Sequence, residues 1–453
     1  MCWCGRGRTC HERERTQTMS AGAPGPWDPE VAEGRRFSSV RRLAWLVGVG
    51  GLLLVIAVAT TTQLVVQRAE ANLTRVPVPE LEQTVERSDA RNFLLVGSDA
   101  RDGVDEDAAS DIPLGDFGGQ RSDVVMYLSI SADREHASLV SFPRDLLVEL
   151  DGRDMKLTDT FAGGPDELIR AMRENFRLPV NHYAEITIGG FIDVVDTLGS
   201  VEICLEEPLR DWRAGADFDA GCHDMGPTEA LSYVRSRQGA RADLERIDRQ
   251  QDFLRAVLRD LTATRTLANP RQVYRLTEDV ASSVTTDDQL ATTQMLGLAD
   301  ELRSIVGAGM PMTAVPAYPR RIDDLDFMVP YGPGARTLFD DLQAGRALAD
   351  RGDRDQRDET VVAITSGGRP AGAGIVDSTL RFAGFQTRVR GTGAAAIDAG
   401  ARTTVYVLDG EEERADWVAA TLGARTLPLP DEVDPFEGVH VLVAIGDDAV
   451  GAP

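Results

Sequence analysis

Apolar positions along the chain alternate between short uninterrupted runs and helical stripes. The runs Asn92 to Val96 (NFLLV), Asp123 to Ile130 (DVVMYLSI) and Ala137 to Phe142 (ASLVSF) have the length of buried strands. The spacing then changes. A helix is predicted over Gly163 to Phe176, with Pro165 at its start and acids in its first turn. Another is predicted over Gly190 to Leu198, where Phe191, Val194, Val195 and Leu198 fall at i, i+3, i+4 and i+7. Val201 to Leu205 reads as a strand. Asp243 to Thr264 reads as a long helix with Ile247, Leu254, Leu258 and Leu261 on one stripe, followed by helices over Arg271 to Ser283 and Gln289 to Val306. Further on, Val361 to Thr365, Thr403 to Leu408 and His440 to Ile445 are strand-like, while Ser378 to Ala383 and Ala415 to Leu422 are helix-like. This alternation predicts an α/β fold: a layered domain over residues 92–345, with a central sheet flanked by helices, and a small α/β unit over 361–450. Between them, RALADRGDRDQRDET (residues 346–360) is charged and nearly free of large apolar side chains. It reads as a solvated linker in which Arg351 and Arg354 are dispensable.

One apolar run is of another kind. Leu43 to Val66 contains no charge over 24 residues; as a helix it is about 36 Å long, enough to span a bilayer core. Arg35, Arg36, Arg41 and Arg42 precede it and only Arg68 and Arg75 follow closely, an asymmetry that keeps the N-terminus cytoplasmic. The chain is thus read as a single-pass plasma-membrane protein: a disordered cytoplasmic tail (1–42), a transmembrane helix (43–66), a juxtamembrane segment (67–91) and an extracytoplasmic remainder. Ala57-Val58-Ala59 also fits a signal-peptide cleavage site, but the apolar run continues past it. The topology sorts the cysteines. Cys2, Cys4 and Cys10 fall in the reducing compartment, Cys204 and Cys222 in the oxidising one, and a Cys204–Cys222 disulfide is expected.

Charge and composition then exclude several functions. With 48 basic against 73 acidic residues the net charge is −25, which disfavours general nucleic-acid binding. No two cysteines have CxxC spacing and the 5 histidines are scattered, which weakens zinc and Ser-His-Asp chemistry. Lys156 stands alone among the arginines. Charges do gather where a plain core would not tolerate them. Asp99 follows the first strand, Arg121 and Asp123 open the second, and Arg144 and Asp145 close the third; strand ends are where α/β sheets bind ligands. In ALSYVRSRQGARADLERIDRQQ, Arg235, Arg237, Arg246, Arg249 and Gln250 sit among Leu231, Tyr233, Val234 and Ile247. Several guanidiniums match a ligand with several negative charges, best a phosphate, and Asp residues among them suit a hard divalent ion, Mg²⁺ (or Mn²⁺).

The blocks NFLLVGSDAR, RSDVVMYLSI, SLVSFPRDLL, KLTDTFAGG, NHYAEITIGGFIDVVDTLGSVEI and ALSYVRSR…DLERIDRQQ, in this order over residues 92–254, resemble the LytR-CpsA-Psr (LCP) family. The segment from Val361 to Val450 resembles the small LytR-type C-terminal domain of many members. The resemblance implies a membrane-anchored, Mg²⁺-dependent enzyme moving a glycopolymer from a polyprenyl-pyrophosphate carrier to a peptidoglycan hydroxyl. Carried over by motif, Arg121, Arg144, Arg235, Arg237, Arg246 and Gln250 hold the pyrophosphate, with Lys156 beside them. Asp99 and Asp123 serve the metal, and Arg121, Arg144, Arg246 and Asp123 are the catalytic set. The lipid tail is expected in an elongated apolar pocket lined by Phe161 to Leu178 and Ile186 to Leu205. Two alternatives are a polyprenyl-pyrophosphate pyrophosphatase and a non-catalytic lipid- or wall-binding envelope protein.

Overall fold

The computed structural model describes residues 70–83, 90–99, 122–238, 242–262, 282–291, 294–295, 297–298, 301–302, 305, 310–349, 351–390, 397, 399–433 and 437–450. The expected cytoplasmic tail, the transmembrane helix over 43–66 and Arg121 lie outside the described residues. No helix among the described residues is long and apolar enough to cross a membrane.

In chain order the first half consists of β1 (Thr74–Val76), β2 (Arg91–Ser98), β3 (Ser122–Ile130), β4 (Ala137–Phe142), β5 (Leu147–Leu150), β6 (Arg153–Lys156), α1 (Pro165–Phe176), β7 (His182–Ile186) and α2 (Ile188–Leu198). Four short strands follow, β8 (Val201–Leu205), β9 (Leu209–Asp211), β10 (Ala216–Phe218) and β11 (Gly221–Met225), then helices α3 (Pro227–Arg235) and α4 (Ala242–Thr262). Next come β12 (Val284–Asp287), β13 (Met312–Ala314), the hairpin of β14 (Ala317–Ile322) and β15 (Leu325–Pro330), and α5 (Gly332–Gln343).

Seven strands build a mixed central sheet in the order β1-β12-β7-β2-β3-β4-β13. β2, β3 and β4 are antiparallel neighbours, while β7 runs parallel to β2 and β13 parallel to β4. Because strand side chains alternate, Leu94, Val96, Val125, Tyr127, Val140 and Phe142 face one way, into a core closed by α1 and α5. Phe93, Met126, Leu128, Ile130 and Leu139 face the other way, under Leu290, Leu302 and Ile305, with Leu254 and Leu258 of α4 against them. The uninterrupted runs in the sequence thus have a simple cause: both faces of these strands are covered.

Residues 201–225 form an excursion of two hairpins. β8 and β11 pair antiparallel with Cys204 directly opposite Cys222, and these two form a disulfide. The β9–β10 hairpin grows from the far end and packs, with α2, α3 and α4, around Val201, Leu209, Phe218, Tyr233 and Phe253.

Two expectations need correction. The juxtamembrane segment contributes β1, which pairs with β12 at the edge of the sheet, and Val78 and Leu81 are buried. Nor is 346–360 a solvated linker. Residues Arg354–Glu359 form a helix, α6, capped by the Asp353 carboxylate accepting the Gln356 N–H at 2.9 Å, and Leu348, Arg351 and Arg357 are buried. Composition misleads here because the buried charges find partners. Arg351 donates to the Ala420 carbonyl at 3.2 Å, and Arg357 donates to the Gly352 carbonyl at 2.7 Å and lies 3.6 Å from Asp248 of α4.

Beyond α6, strands β16 (Val361–Thr365), β17 (Gln386–Arg390), β18 (Thr404–Val407), β19 (Arg425–Pro428) and β20 (Val441–Ala444) form a second sheet in the order β17-β16-β20-β18-β19. Helices α7 (Pro370–Phe382) and α8 (Glu412–Leu422) supply Val376, Leu380, Trp417 and Leu422 to its core. Tyr331, just before α5, is buried in this second core, whereas Leu338, Phe339 and Leu342 of α5 belong to the first.

Candidate active site

Strand register brings the main-chain positions of Asp99, Asp123 and Arg144 to one end of the central sheet. Ser98 closes β2 opposite Ser122, which opens β3, and Phe142 closes β4 opposite Val125. Asp99, Asp123 and Arg144 therefore leave three adjacent strands at the same edge. A register shift at Gly97/Ser98 bends β2 just before Asp99, as bulges beside functional sites do. Gly97 lets the two strands approach closely there, since a Cβ would stand 3.1 Å from the Val124 Cβ, a tight contact. Asp99 is half-buried, and Asp123 is placed by its main chain in β3.

Arg144 is fixed from two directions. Its carbonyl accepts the Thr158 hydroxyl at 3.0 Å and the Thr158 N–H at 3.3 Å. Its Nε donates to Asp145 at 3.4 Å, and the other oxygen of Asp145 takes the Lys156 ammonium at 2.9 Å. The block KLTDTFAGG thus has a physical role: Lys156 and Thr158 position the residues that follow β4. Lys156, Arg144 and Asp145 keep roughly a quarter of their side-chain surface open, 27%, 29% and 20%, so the cluster faces solvent while its base is held.

α4 carries the second part of the set and is bolted to the sheet. Gln251 donates to the Ser141 hydroxyl at 2.9 Å and to the Thr313 carbonyl at 3.0 Å, joining α4 to β4 and β13 three residues before Arg144. Gln250 donates to the Val234 carbonyl at 3.4 Å, and Arg249 holds the Ser236 carbonyl at 2.8 Å. These bonds draw the segment carrying Arg235 and Arg237 onto α4. Arg246 is 4% exposed, part of the wall rather than of the surface, whereas the Arg237 side chain is exposed and only its N–H is tied, to Asp211 at 2.7 Å.

Asp145, Asp211 and Ser236 act as anchors that the sequence patterns leave unassigned, since each meets its partners through the fold rather than through local spacing. A possible signal for Asp145 was its place between Arg144 and the block holding the lone lysine. Asp211 carries a cause for its charge: burial works to raise its pKa, but the N–H groups of Arg237, Arg213 and Ala214 and the Ser236 hydroxyl outweigh it and hold the carboxyl below its ordinary value.

One of the two segments expected to line an apolar pocket is packed in the core. Phe161, Leu168, Ile169, Met172 and Leu178 are spent on the core beneath α1. On the opposite face Leu95 and Val124, at the sheet end bearing Asp99 and Asp123, and Leu254 and Leu258 of α4 are only partly buried. α2 begins at Thr187, whose hydroxyl accepts the Gly190 N–H at 3.2 Å, and keeps Ile188, Phe191 and Ile192 half-buried. A separate cavity of about 830 Å³ lies between α4, the β8–β9 turn and residues 348–358, with a mixed lining whose charged members include Asp248, Asp252, Arg255 and Asp355.

The family model described as "LytR_cpsA_psr family" matches residues 55–342. The "Probable cell wall biosynthesis protein LcpB" of Corynebacterium glutamicum is 36% identical over 254 residues, 55% of this chain and 61% of that protein, so the match spans less than two thirds of that relative's length. The "Polyisoprenyl-teichoic acid--peptidoglycan teichoic acid transferase TagU" of Oceanobacillus iheyensis is 28% identical over 287 residues, 58% of this chain and 84% of that protein. Among solved structures, a "LytR-Csp2A-Psr enzyme from Actinomyces oris" covers 60% of this chain and 96% of its own at 22% identity, with a TM-score of 0.49.

Proposed function

The chain belongs to the LytR-CpsA-Psr family, and on that premise we propose that it is an extracytoplasmic phosphotransferase moving a glycopolymer from a polyprenyl-pyrophosphate carrier to a sugar hydroxyl of peptidoglycan. The observation that carries the reading is the gathering of Asp99, Asp123 and Arg144 at one sheet end, with Lys156 on Asp145 and α4 tied to β4 beside them. In this reaction the acceptor oxygen attacks the sugar-linked phosphorus, the phosphoanhydride bond breaks, and polyprenyl phosphate leaves with the bonding electrons. Arg144 and Arg246, with Arg121, Arg235, Arg237, Lys156 and Gln250, hold the diphosphate and offset its developing charge. One of Asp99 and Asp123 takes the hydroxyl proton.

Two carboxylates on neighbouring strand ends are the hard oxygen donors that Mg²⁺ or Mn²⁺ requires, so Asp99 and Asp123 are the residues that would hold it. When bound, the ion supplies positive charge to the diphosphate. The lipid tail is assigned to the partly open apolar face between Leu95 and Val124 on the sheet and Leu254 and Leu258 on α4. A helix over 43–66 would anchor the protein in the plasma membrane with its N-terminus cytoplasmic, and 361–450 would serve as a LytR-type C-terminal domain.

The test is to incubate the protein with polyprenyl-pyrophosphate-linked glycan, peptidoglycan and Mg²⁺. Glycan bound covalently to peptidoglycan is the expected result. Hydrolysis to polyprenyl phosphate and free glycan phosphate without transfer would replace the reading with a pyrophosphatase, and binding without turnover with a lipid-binding envelope protein.

A further inference from the structure

Trp212 is 81% exposed at the turn of the β9–β10 hairpin, the most exposed large apolar side chain among the described residues. A surface indole gives up burial that Trp ordinarily finds, and this one stands at a fixed place. The residue before it, Asp211, accepts the Arg237 N–H at 2.7 Å and the Ser236 hydroxyl at 3.3 Å on one oxygen and the Arg213 N–H at 3.0 Å on the other. The Arg210 N–H goes to the Gln238 side chain, and Arg249 of α4 holds the Ser236 carbonyl. Hairpin, guanidinium segment and α4 are therefore joined by hydrogen bonds. Trp212 lies one Cα step, about 3.8 Å, from the residue bonded to Arg237.

The surroundings of the ring decide its chemistry. The Arg213 guanidinium stands 5.3 Å from the ring centroid, and at this exposure the rest of the ring is open to solvent. Arg210, two positions before the ring and paired with Asp217 at 2.8 Å and with Asp219, brings exposed charges of both signs to the same hairpin. An apolar plate beside donors and acceptors matches a sugar ring, which has a C–H face and a hydroxyl edge. A bilayer surface fits poorly: residues 201–225 carry seven acidic groups against two arginines, and anionic headgroups would repel them.

We propose that Trp212, with Arg210 and Asp217, forms a saccharide subsite beside Arg237 that stacks on a ring of the reacting glycan. The identity of that glycan rests on the phosphotransfer reading; the affinity for a sugar ring does not. The test uses the full chain in amphipol, which leaves vesicles intact, and takes the tryptophan emission that Trp212→Phe removes as the signal of this one ring. Three probes are compared: muramidase-solubilised peptidoglycan fragments, polyprenyl-pyrophosphoryl-N-acetylglucosamine, and glycan-free phosphatidylglycerol vesicles. A shift with the first probe assigns the subsite to the acceptor, and a shift with the second alone assigns it to the donor. A shift with the glycan-free vesicles, or with none of the three, overturns the proposal. In the transfer assay Trp212→Ala should raise KM for that glycan about tenfold with kcat unchanged, and Trp212→Tyr should recover most of the loss, both variants melting like the native chain. Transfer that proceeds in Trp212→Ala with unchanged KM sinks the subsite and leaves the phosphotransferase standing. A glycan-dependent shift in a protein that transfers nothing does the reverse.

Discussion

Asp145 holds two cations at once, Arg144 at 3.4 Å and Lys156 at 2.9 Å, and the structure divides what each contributes. The bonds of the Arg144 carbonyl to Thr158 are retained by alanine, and the side-chain bond to Asp145 that it loses, at 3.4 Å, is partly exposed and contributes little. Arg144→Ala should therefore lower transfer about 10²–10³-fold, the cost of a lost electrostatic donor, with the melting temperature unchanged. Arg246 differs, because its side chain is buried. Arg246→Ala should lose both activity and stability, and Arg388→Ala, on an exposed strand of the second sheet, neither. Turnover assays with melting curves separate the three. Away from the site, Asp287 is fully buried and accepts N–H groups of Tyr183, Gln289 and Leu290 at 2.9 Å each, with the His182 ring at 3.3 Å. Burial acts to raise its pKa, but these hydrogen bonds and the His182 charge outweigh it and hold the carboxyl below its ordinary value. A depressed carboxyl contributes stability above its unfolded pKa, about 4, and loses it as pH falls through the folded value. Asp287→Asn should thus destabilise the protein at neutral pH and flatten the loss of stability below about pH 4; an unchanged acid limb in denaturant titrations would refute this. Asp145 could be placed in the sequence by its position beside Arg144, but Asp287 could not, since it reads as an ordinary residue ahead of a helix and its partner Tyr183 lies about a hundred positions away.

At the level of elements, legibility followed burial. β2, β3 and β4 were readable because both their faces are covered, and α1 because Pro165 and two acids mark its start. β1 is three residues long and shows no pattern of its own; it exists because β12 offers it an edge. α6 was hidden for the opposite reason, since its charged composition reads as solvated until Asp248 is brought to Arg357. The β8–β11 excursion lay between. Its disulfide could be expected from compartment alone, but its role needs the register: Cys204 faces Cys222 across the base of the hairpin pair, 18 positions apart in sequence. The bond closes the loop that carries Asp211, the carboxylate holding Arg237. Cys204→Ser with Cys222→Ser should cost about 3 kcal/mol by the loop-entropy estimate and should loosen the Arg235–Gln238 segment. Hydrogen exchange at the Arg237 amide checks it. Protection equal to that of the native chain would mean the hairpin needs no staple.

Taken as one molecule, the chain joins the units built on its two sheets through at least two structural links rather than a flexible tether. α5 lends Leu338, Phe339 and Leu342 to the first core while Tyr331 enters the second, and Gly334 comes so near α8 that a Cβ there would stand 2.2 Å from the Thr421 carbonyl oxygen. The Asp248–Arg357 pair supplies the other link, with side chains only 9% and 10% exposed, on the same helix that bears Arg246 and Gln250. Charges this buried are costly to separate, so loss of the second sheet's docking should be felt along α4. Unfolding of residues 70–450 should accordingly be a single cooperative transition. Arg357→Ala should lower the melting of both sheets together, and a double-mutant cycle with Asp248→Asn should return a coupling of about 0.5–3 kcal/mol. Calorimetry decides between this and independent domains. If the native chain melts in two transitions and Arg357→Ala shifts only the one belonging to 361–450, the sheets are merely adjacent and the pair carries no message to the arginines of α4.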